Sequence, residues 1–278
     1  MAEKKFILNA DDFGMSNDLN RGVLYAHNWG CLKSASLCAN GEAFDNAINE
    51  VLPECNNLGI GVHLNISSGK ALTPCDKLTN SKGEFNKSYF YLMRNSKNKI
   101  ILKQIETEFR AQIEKIAKYT KITHIDSHRH THAIPEIFEI TVKLAKEYGI
   151  NQIRTHQEEL YTVSNIFKYL NLKYPLNLFK ALLLNHYSKL NKQNLDGLDT
   201  NSYIIGIEYS GMMDDLTITQ GLTTIESDDC SVEAIIHPCI YTTGLKNNYV
   251  KEFEITQSKV LESEIYSLGY QITNYRLN

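Results

Sequence analysis

The apolar positions of this chain change rhythm repeatedly. Short apolar runs that suit strands trade places with four-residue periodicities that suit amphipathic helices. Strands are predicted over 4–9, 34–38, 59–64, 123–127, 150–155, 202–208, 232–236 and 270–273. Helices are predicted from Ser16 or Asn17 to about 28, then over 43–52, 97–119, 135–148 and 253–268. The clearest is 97–119, where Ile101, Ile105, Phe109 and Ile113 form one stripe. Pro135 suits a first helical turn and Gly149 a stop. Residues 66–96 are polar and turn-rich, with Tyr89, Phe90 and Tyr91, and read as a long inserted loop able to cover a site. Residues 157–200 read as a mostly helical segment.

Strand and helix alternate with no linker and no internal repeat, which predicts an α/β fold with a mostly parallel sheet or barrel. The 278 residues fit one barrel-sized domain, 1–278. In a barrel, polar groups at the C-terminal ends of strands share one face. Asp11, Asp12, His63, His128 and His237 all fall at or just past predicted strand ends. Five polar residues from distant segments are therefore expected to converge on a single active site.

Composition narrows the partners. Hydrophobic residues make up 42% of the chain, enough for a core, and the net charge is −3. No dense Lys/Arg block is present; Lys97, Lys99 and Lys103 read as a solvated helix face, so nucleic acid is not an expected partner. Near the N-terminus only 6–8 is apolar, and no run approaches the ~18 apolar residues of a membrane span. A cytoplasmic protein with no membrane partner is the expectation. The six cysteines, at 31, 38, 55, 75, 230 and 239, form no C-x-x-C pair and read as thiols in a reducing compartment. A homo-oligomer is compatible with all of this.

The candidate chemistry centres on 123–132, which holds His124, Asp126, His128, His130 and His132. Imidazole binds divalent metals and carries protons near neutral pH. A catalytic site needs only three protein ligands and an open position. His128, at the strand end, is best placed to ligate. Asp126 suits orienting an imidazole through its other nitrogen. His130 and His132 are candidates to contact substrate or move protons, and His124 reads as structural. In the Asp11-Asp12 pair one carboxylate can hold a metal while the other takes a proton; the blander alternative is a helix cap. His63 is either a ligand or a core histidine. His237 is either a general acid or a loop histidine. Arg154 can orient a carboxylate, bind substrate or lie on the surface. His27, His156 and His186 show no partner and read as structural or exposed.

Taken together, Asn9-Ala10-Asp11-Asp12-Phe13-Gly14, Gly61-Val62-His63-Leu64, His124-Ile125-Asp126-Ser127-His128-Arg129-His130-Thr131-His132 and His237-Pro238 resemble the YdjC-like carbohydrate deacetylases, among them the chitooligosaccharide deacetylases. Ser34-Ala35-Ser36 and Asn40-Gly41 also resemble the family pattern. The resemblance implies a distorted (β/α) barrel akin to polysaccharide deacetylases. It implies removal of an acetyl group from an N-acetylated amino sugar or oligosaccharide by a water held on one divalent metal, magnesium or zinc. It maps the metal to Asp12, His63 and His128, the catalytic base to Asp11 and a candidate acid to His237. Arg129 departs from the pattern, standing where a histidine is usual, and 157–202 matches poorly, which leaves substrate choice open. The rival readings are a hydrolase of another amide or a phosphate ester, a non-haem iron oxygenase, and a non-catalytic sugar- or metal-binding protein.

Overall fold

The computed structural model describes residues 3–244 and 247–276. Its centre is a 7-stranded sheet made from β1 (Lys4–Phe13), β2 (Ser34–Leu37), β3 (Gly59–Leu64), β4 (Ile122–Ser127), β5 (Tyr203–Ile205), β6 (Cys230–Ile236) and β7 (Tyr270–Thr273). The order is β4-β3-β2-β1-β6-β5, with β7 also on β1, and every strand pair is parallel. β1 has three neighbours. Lys4–Ile7 pairs with β7 and Asn9–Phe13 with β2, while β6 runs along Lys4–Ala10.

The strands alternate in an informative way. Leu8, Ala10, Ala35, Leu37, Ile60, Val62, Leu64, Ile125, Val232, Ala234 and Ile236 join the apolar core. The intervening residues, Asn9, Asp11, Ser36, His63, His124, Asp126 and Glu233, are buried and polar; the first six bond to one another, and Glu233 joins them through Arg154. Successive side chains on a strand point to opposite faces. One face of the sheet is therefore oil and the other a hydrogen-bonded interior. Gly61 belongs to that interior, because a Cβ there would collide with the His124 imidazole.

The predicted strand over 150–155 is instead a seam of single bridges that joins the sheet's two edges. Ile125 pairs with Ile153 and Gln152 with Asp199. Arg154 N donates to Ile125 O (2.9 Å), Ile153 N to Asp199 O (3.0 Å) and Ile204 N to Gln157 O (2.8 Å). The segment shares its backbone groups between two partners and so forms no continuous ladder. The fold is a distorted (β/α) barrel closed by that seam.

Around the sheet lie α1 (Asn17–Trp29), α2 (Phe44–Asn46), α3 (Tyr89–Arg94), α4 (Lys99–Ala117), α5 (Pro135–Glu147), α6 (Tyr174–Asn191), α7 (Asp215–Thr223), α8 (Asn248–Gln257) and α9 (Lys259–Ser267). Several depart from the sequence expectation. α2 runs into a π-turn, Ala47–Val51, and then a 3₁₀ turn, Leu52–Glu54, where Pro53 lacks the N–H a regular helix would use. The single helix expected over 253–268 is two, broken at Ser258, whose hydroxyl accepts from Leu261 N to cap α9. α7, where the apolar rhythm predicts no helix, begins with a capping box of Asp214 and Thr217. The 66–96 loop contains α3, and within 157–200 only α6 is a long helix. The strand expected over 202–208 stops at Ile205, because the N–H groups of Gly206, Ile207 and Glu208 donate to the buried Glu158 carboxylate at 2.7–3.0 Å. All six cysteines are buried and free. Among the described residues no helix is long and apolar enough to cross a membrane.

One close approach sets the position of the chain just past the end of β6. Gly22 on α1 lies so near the Pro238 carbonyl and Cys239 N that a Cβ would overlap them. Gly22→Ala is therefore expected to destabilise the protein by about 1–3 kcal/mol, the usual cost of forced overpacking. Urea unfolding would measure it, and an unchanged midpoint would contradict the packing.

Candidate active site

The polar interior is organised around Arg154. Its side chain is fully buried, and three strands aim carboxylates at it. Nη1 donates to Asp11 Oδ2 (2.8 Å) and Nη2 to Asp11 Oδ1 (2.6 Å). Asp126 Oδ2 lies 2.7 Å from Nη2, and Nε donates to Glu233 Oε2 (2.9 Å). Smaller groups complete the set. Asn9 Nδ2 donates to Asp11 Oδ1 and to Ser36 Oγ, each at 2.8 Å, and Ser36 Oγ donates to Asp126 Oδ2 (2.6 Å). The Tyr275 hydroxyl donates to Glu233. Burial pushes the Glu233 carboxyl up to about 7 although Arg154 opposes it. Asp126 is also buried, yet Arg154 and His63 hold its carboxyl well below the usual range.

Just above this layer the strand ends form a cradle. His63 Nδ1–H donates to Asp126 Oδ1 (2.8 Å), which leaves Nε2 facing Asp12 Oδ1 at 3.3 Å. His128 Nδ1 lies 2.7 Å from the same oxygen. The ligand atoms of Asp12, His63 and His128 all lie within 4.8 Å of one another. Asp12 sits at φ 63°, a left-handed conformation that costs a non-glycine residue about 1–3 kcal/mol. Its carboxylate is thereby turned into the cradle, and Ser16 rather than either aspartate caps α1. Asp11, His63 and Asp126 are equally close together. Arg154, Asn9 and Ser36 already engage the oxygens of that second set, so the first set is the better fit for a cation.

The electrostatics agree with that fit. One guanidinium faces three carboxylates, and Asp12 adds a fourth. Burial works against a charged His63, but Asp126, Asp11 and the bond to Asp12 overcome it and draw its pKa up to about 10. Asp12 is likewise held well below the usual carboxylate range, against burial, by His128 and His63. The cradle favours added positive charge, and a carboxylate with two imidazoles suits a divalent metal.

The other predicted residues occupy distinct places. His237 Nε2 lies 4.0 Å from Asp12 Oδ2. Its backbone N and Nδ1–H both donate to Glu252 Oε2, at 2.6 and 3.1 Å. Burial opposes its charge, but Glu252, with help from Asp12 and Asp11, raises its pKa to about 9. His132 is wholly buried with both nitrogens engaged, Nε2–H donating to Arg154 O (3.0 Å) and Nδ1 bonded to Ser127 Oγ. It braces the seam that carries Arg154. His124 is structural: it bonds Ser36 and Thr123, stacks on Tyr275 at 4.0 Å, and burial lowers its pKa to about 4.

His130 pairs with His156 (3.1 Å), so His156, which shows no partner in the sequence, has one in the fold. Arg154 is not a surface group. Sequence reasoning does not find Glu233 or Glu252. A lone acid inside the apolar run 232–236 is a usable signal for the first; the second carries none.

Replacing Arg154 by Leu would leave three buried carboxylates without their cation. A loss of about 3–5 kcal/mol is expected at neutral pH, as for other broken buried pairs. The depressed Asp126 carboxyl contributes stability that is complete above its unfolded pKa, about 3.9, and fades as acid protonates it. The gap between wild type and variant should therefore narrow as pH falls. Guanidine unfolding across pH would show this, and a gap that widens in acid would refute it.

Comparison with known proteins identifies the family and the fold. The sequence model of the YdjC-like proteins matches residues 5–266. Carbohydrate deacetylase 1 of Listeria innocua serovar 6a is 31% identical over 98% of this chain and 99% of its own. A carbohydrate deacetylase of Brevibacillus brevis is 39% identical over 52% of this chain, a match that spans 57% of that relative's length. A solved structure from Enterococcus faecalis V583, provisionally described as a cellobiose-phosphate cleavage protein, superposes with a TM-score of 0.77. That match covers 99% of this chain and 98% of the other at 22% identity, and so shares the fold. The chain belongs to the YdjC-like protein family, the family of the carbohydrate deacetylases.

Proposed function

We propose that this protein removes the acetyl group from an N-acetylated amino sugar or oligosaccharide, such as a chito-oligosaccharide, by metal-assisted hydrolysis. The observation that carries the reading is the placement of Asp11. Its Oδ2 lies 4.0 Å from His63 Nε2, at the edge of the cradle, while Arg154 and Asn9 fix the carboxylate from behind.

Asp12, His63 and His128 would hold a divalent ion, zinc or magnesium. Such an ion would act as a Lewis acid toward the acetyl carbonyl and make a water easier to deprotonate. The chain's own residues account for the rest. Asp11 Oδ1 accepts from both Asn9 and Arg154, whereas Oδ2 accepts from Arg154 alone and keeps capacity toward the cradle. Asp11 Oδ2 takes the proton of the attacking water. Arg154 keeps that carboxylate aimed. Asp126 fixes the His63 ring, so its free nitrogen cannot turn away. His237, held protonated by Glu252 from the side away from Asp12, gives a proton to the departing amine. Acetate and a free amino sugar leave.

Acetate release from N-acetylated chito-oligosaccharides, with and without chelator, tests the reading. Chelation should abolish release, and His63→Ala and His128→Ala should lose bound metal by elemental analysis. Release that persists in chelator would remove the metal from the account. Asp11→Asn should keep its metal yet lose about a hundredfold or more in kcat, the usual scale for a missing general base; full turnover would end its assignment.

His237 must be protonated to act, so activity should fall as pH rises through the His237 pKa. That fall should lie at or below pH 9, because a bound cation acts against the imidazolium. In His237→Gln the residual activity should lack this alkaline limb; an unchanged pH profile would assign the proton elsewhere.

A further inference from the structure

His237 faces the cradle on one side and Glu252 on another, and an aromatic ring that the mechanism leaves unused packs on it as well. Tyr249 lies in the first turn of α8, with its ring centroid 5.3 Å from that of His237 and the two planes 36° apart. Glu252 follows three residues later on the same helix, so one face of α8 brings both groups to the histidine. The ring is held through its backbone. Asn247 caps α8, its Oδ1 accepting from Tyr249 N (3.0 Å) and Val250 N (3.3 Å). Tyr249 O accepts from Cys239 N (3.2 Å), just past His237. Asn248 Nδ2 donates to Gly211 O, on the chain past β5. The start of α8 is thus tied to the two strand-end loops that border it.

The ring itself is not part of the core. Tyr249 is 39% exposed, although His237 and Asp12 beside it are largely covered. Burial raises the phenol's pKa, and Asp12 and Glu252 add to the rise, so the phenol lies within the field of the cradle carboxylate. A half-exposed tyrosine standing alone needs no explanation. This one is anchored at both of its backbone groups, packs on the proposed acid and feels the charge of the cradle.

The direction of the reaction decides what the ring faces. The acetyl carbonyl is drawn to the cradle, and the amide nitrogen must reach His237 Nε2, which lies 4.0 Å from Asp12 Oδ2. The sugar carbon that bears the nitrogen lies on its far side from the carbonyl. The pyranose therefore leaves the cradle along the open side of His237, where the Tyr249 ring stands. One face of a pyranose is mostly C–H, and a half-exposed aromatic ring is an apolar partner of matching size.

We propose that Tyr249 is the platform for the sugar ring that carries the acetamido group, and so makes the site select a pyranose. The orientation of that sugar rests on the deacetylase reading, and binding of the product amine is measured apart from turnover.

Kinetics on the metal-loaded full chain would use N,N′-diacetylchitobiose. Titration calorimetry would use the glucosamine disaccharide, which has no acetyl group and cannot turn over. Tyr249→Ala and Tyr249→Leu should raise KM and weaken binding of the disaccharide by about tenfold, the scale of one lost ring contact. Leucine keeps apolar bulk against His237, so its loss reports the missing ring and not a collapsed helix start. Tyr249→Phe should recover the affinity, since it restores the ring. Inhibition by acetate, the product without a ring, should not move. A fall in kcat with KM unchanged would mean that the ring only props His237, and would overturn the platform. An equal loss in the Phe and Ala variants, or an equal loss toward acetate, would overturn it too. If the wild type releases no acetate but the disaccharide binds and loses affinity in the Ala and Leu variants, the deacetylase reading fails and the platform stands. If acetate is released and both variants keep the wild-type KM and affinity, the deacetylase reading stands and the platform fails.

Discussion

A single buried guanidinium holds the interior of this barrel together. β1, β4 and β6 each turn an acidic side chain toward Arg154, and none of those charges is tolerable there alone. The planar fork of arginine meets Asp11 with two parallel hydrogen bonds and still reaches Asp126 and Glu233, a geometry a lysine could not supply. Once the three strands are locked to one point, the positions of their C-terminal ends follow. Asp12 is the next residue after Asp11, His63 is oriented by Asp126, and His237 follows β6, the strand of Glu233.

The layers above that point show a division of charge. The cradle is rich in carboxylates and draws His63 and His237 toward their protonated forms. A few residues away, on the turn after β4 and the facing side of α6, Arg129 and Lys180 face open space while burial keeps His130 and His156 neutral. Left-handed backbone occurs on both sides, at Asp12 and at Arg129 and His130, where the chain gives up local stability to aim particular side chains.

Most of the barrel is legible in the hydrophobic rhythm, because each buried strand except the seam has a continuous ladder partner and a run of apolar residues on one face. The seam is not: its residues look like any β-rich run, and only the tertiary arrangement shows their backbone groups divided between Ile125 and Asp199. The split at Ser258 is hidden for a similar reason, since one serine cap does not interrupt apolar periodicity. For the site, placement at strand ends groups Asp11, Asp12, His63, His128 and His237, and the fold brings their side chains near one another. Alternation within the strands holds a further message in Asn9, Ser36 and Glu233, polar residues at positions where an oily barrel would carry aliphatic ones. Glu252 lies on a helix face with no such contrast, and only its contact with His237 reveals it.

The three-sided pairing of β1 bears on how the protein comes to be. The strand that ends in the two aspartates is the first in the chain, yet one flank waits for residues 230–236 and another for residues 270–273. Pairing across such sequence separations is slow to form. On a growing chain, Asp11 and Asp12 are made long before Arg154, and the sheet around them is complete only when nearly all of the sequence is available. Until then those carboxylates stay ionised and hydrated, which opposes early burial of the strand's inner face. The charges that equip the finished site would thus also time its assembly, holding the barrel open until their counter-charge arrives.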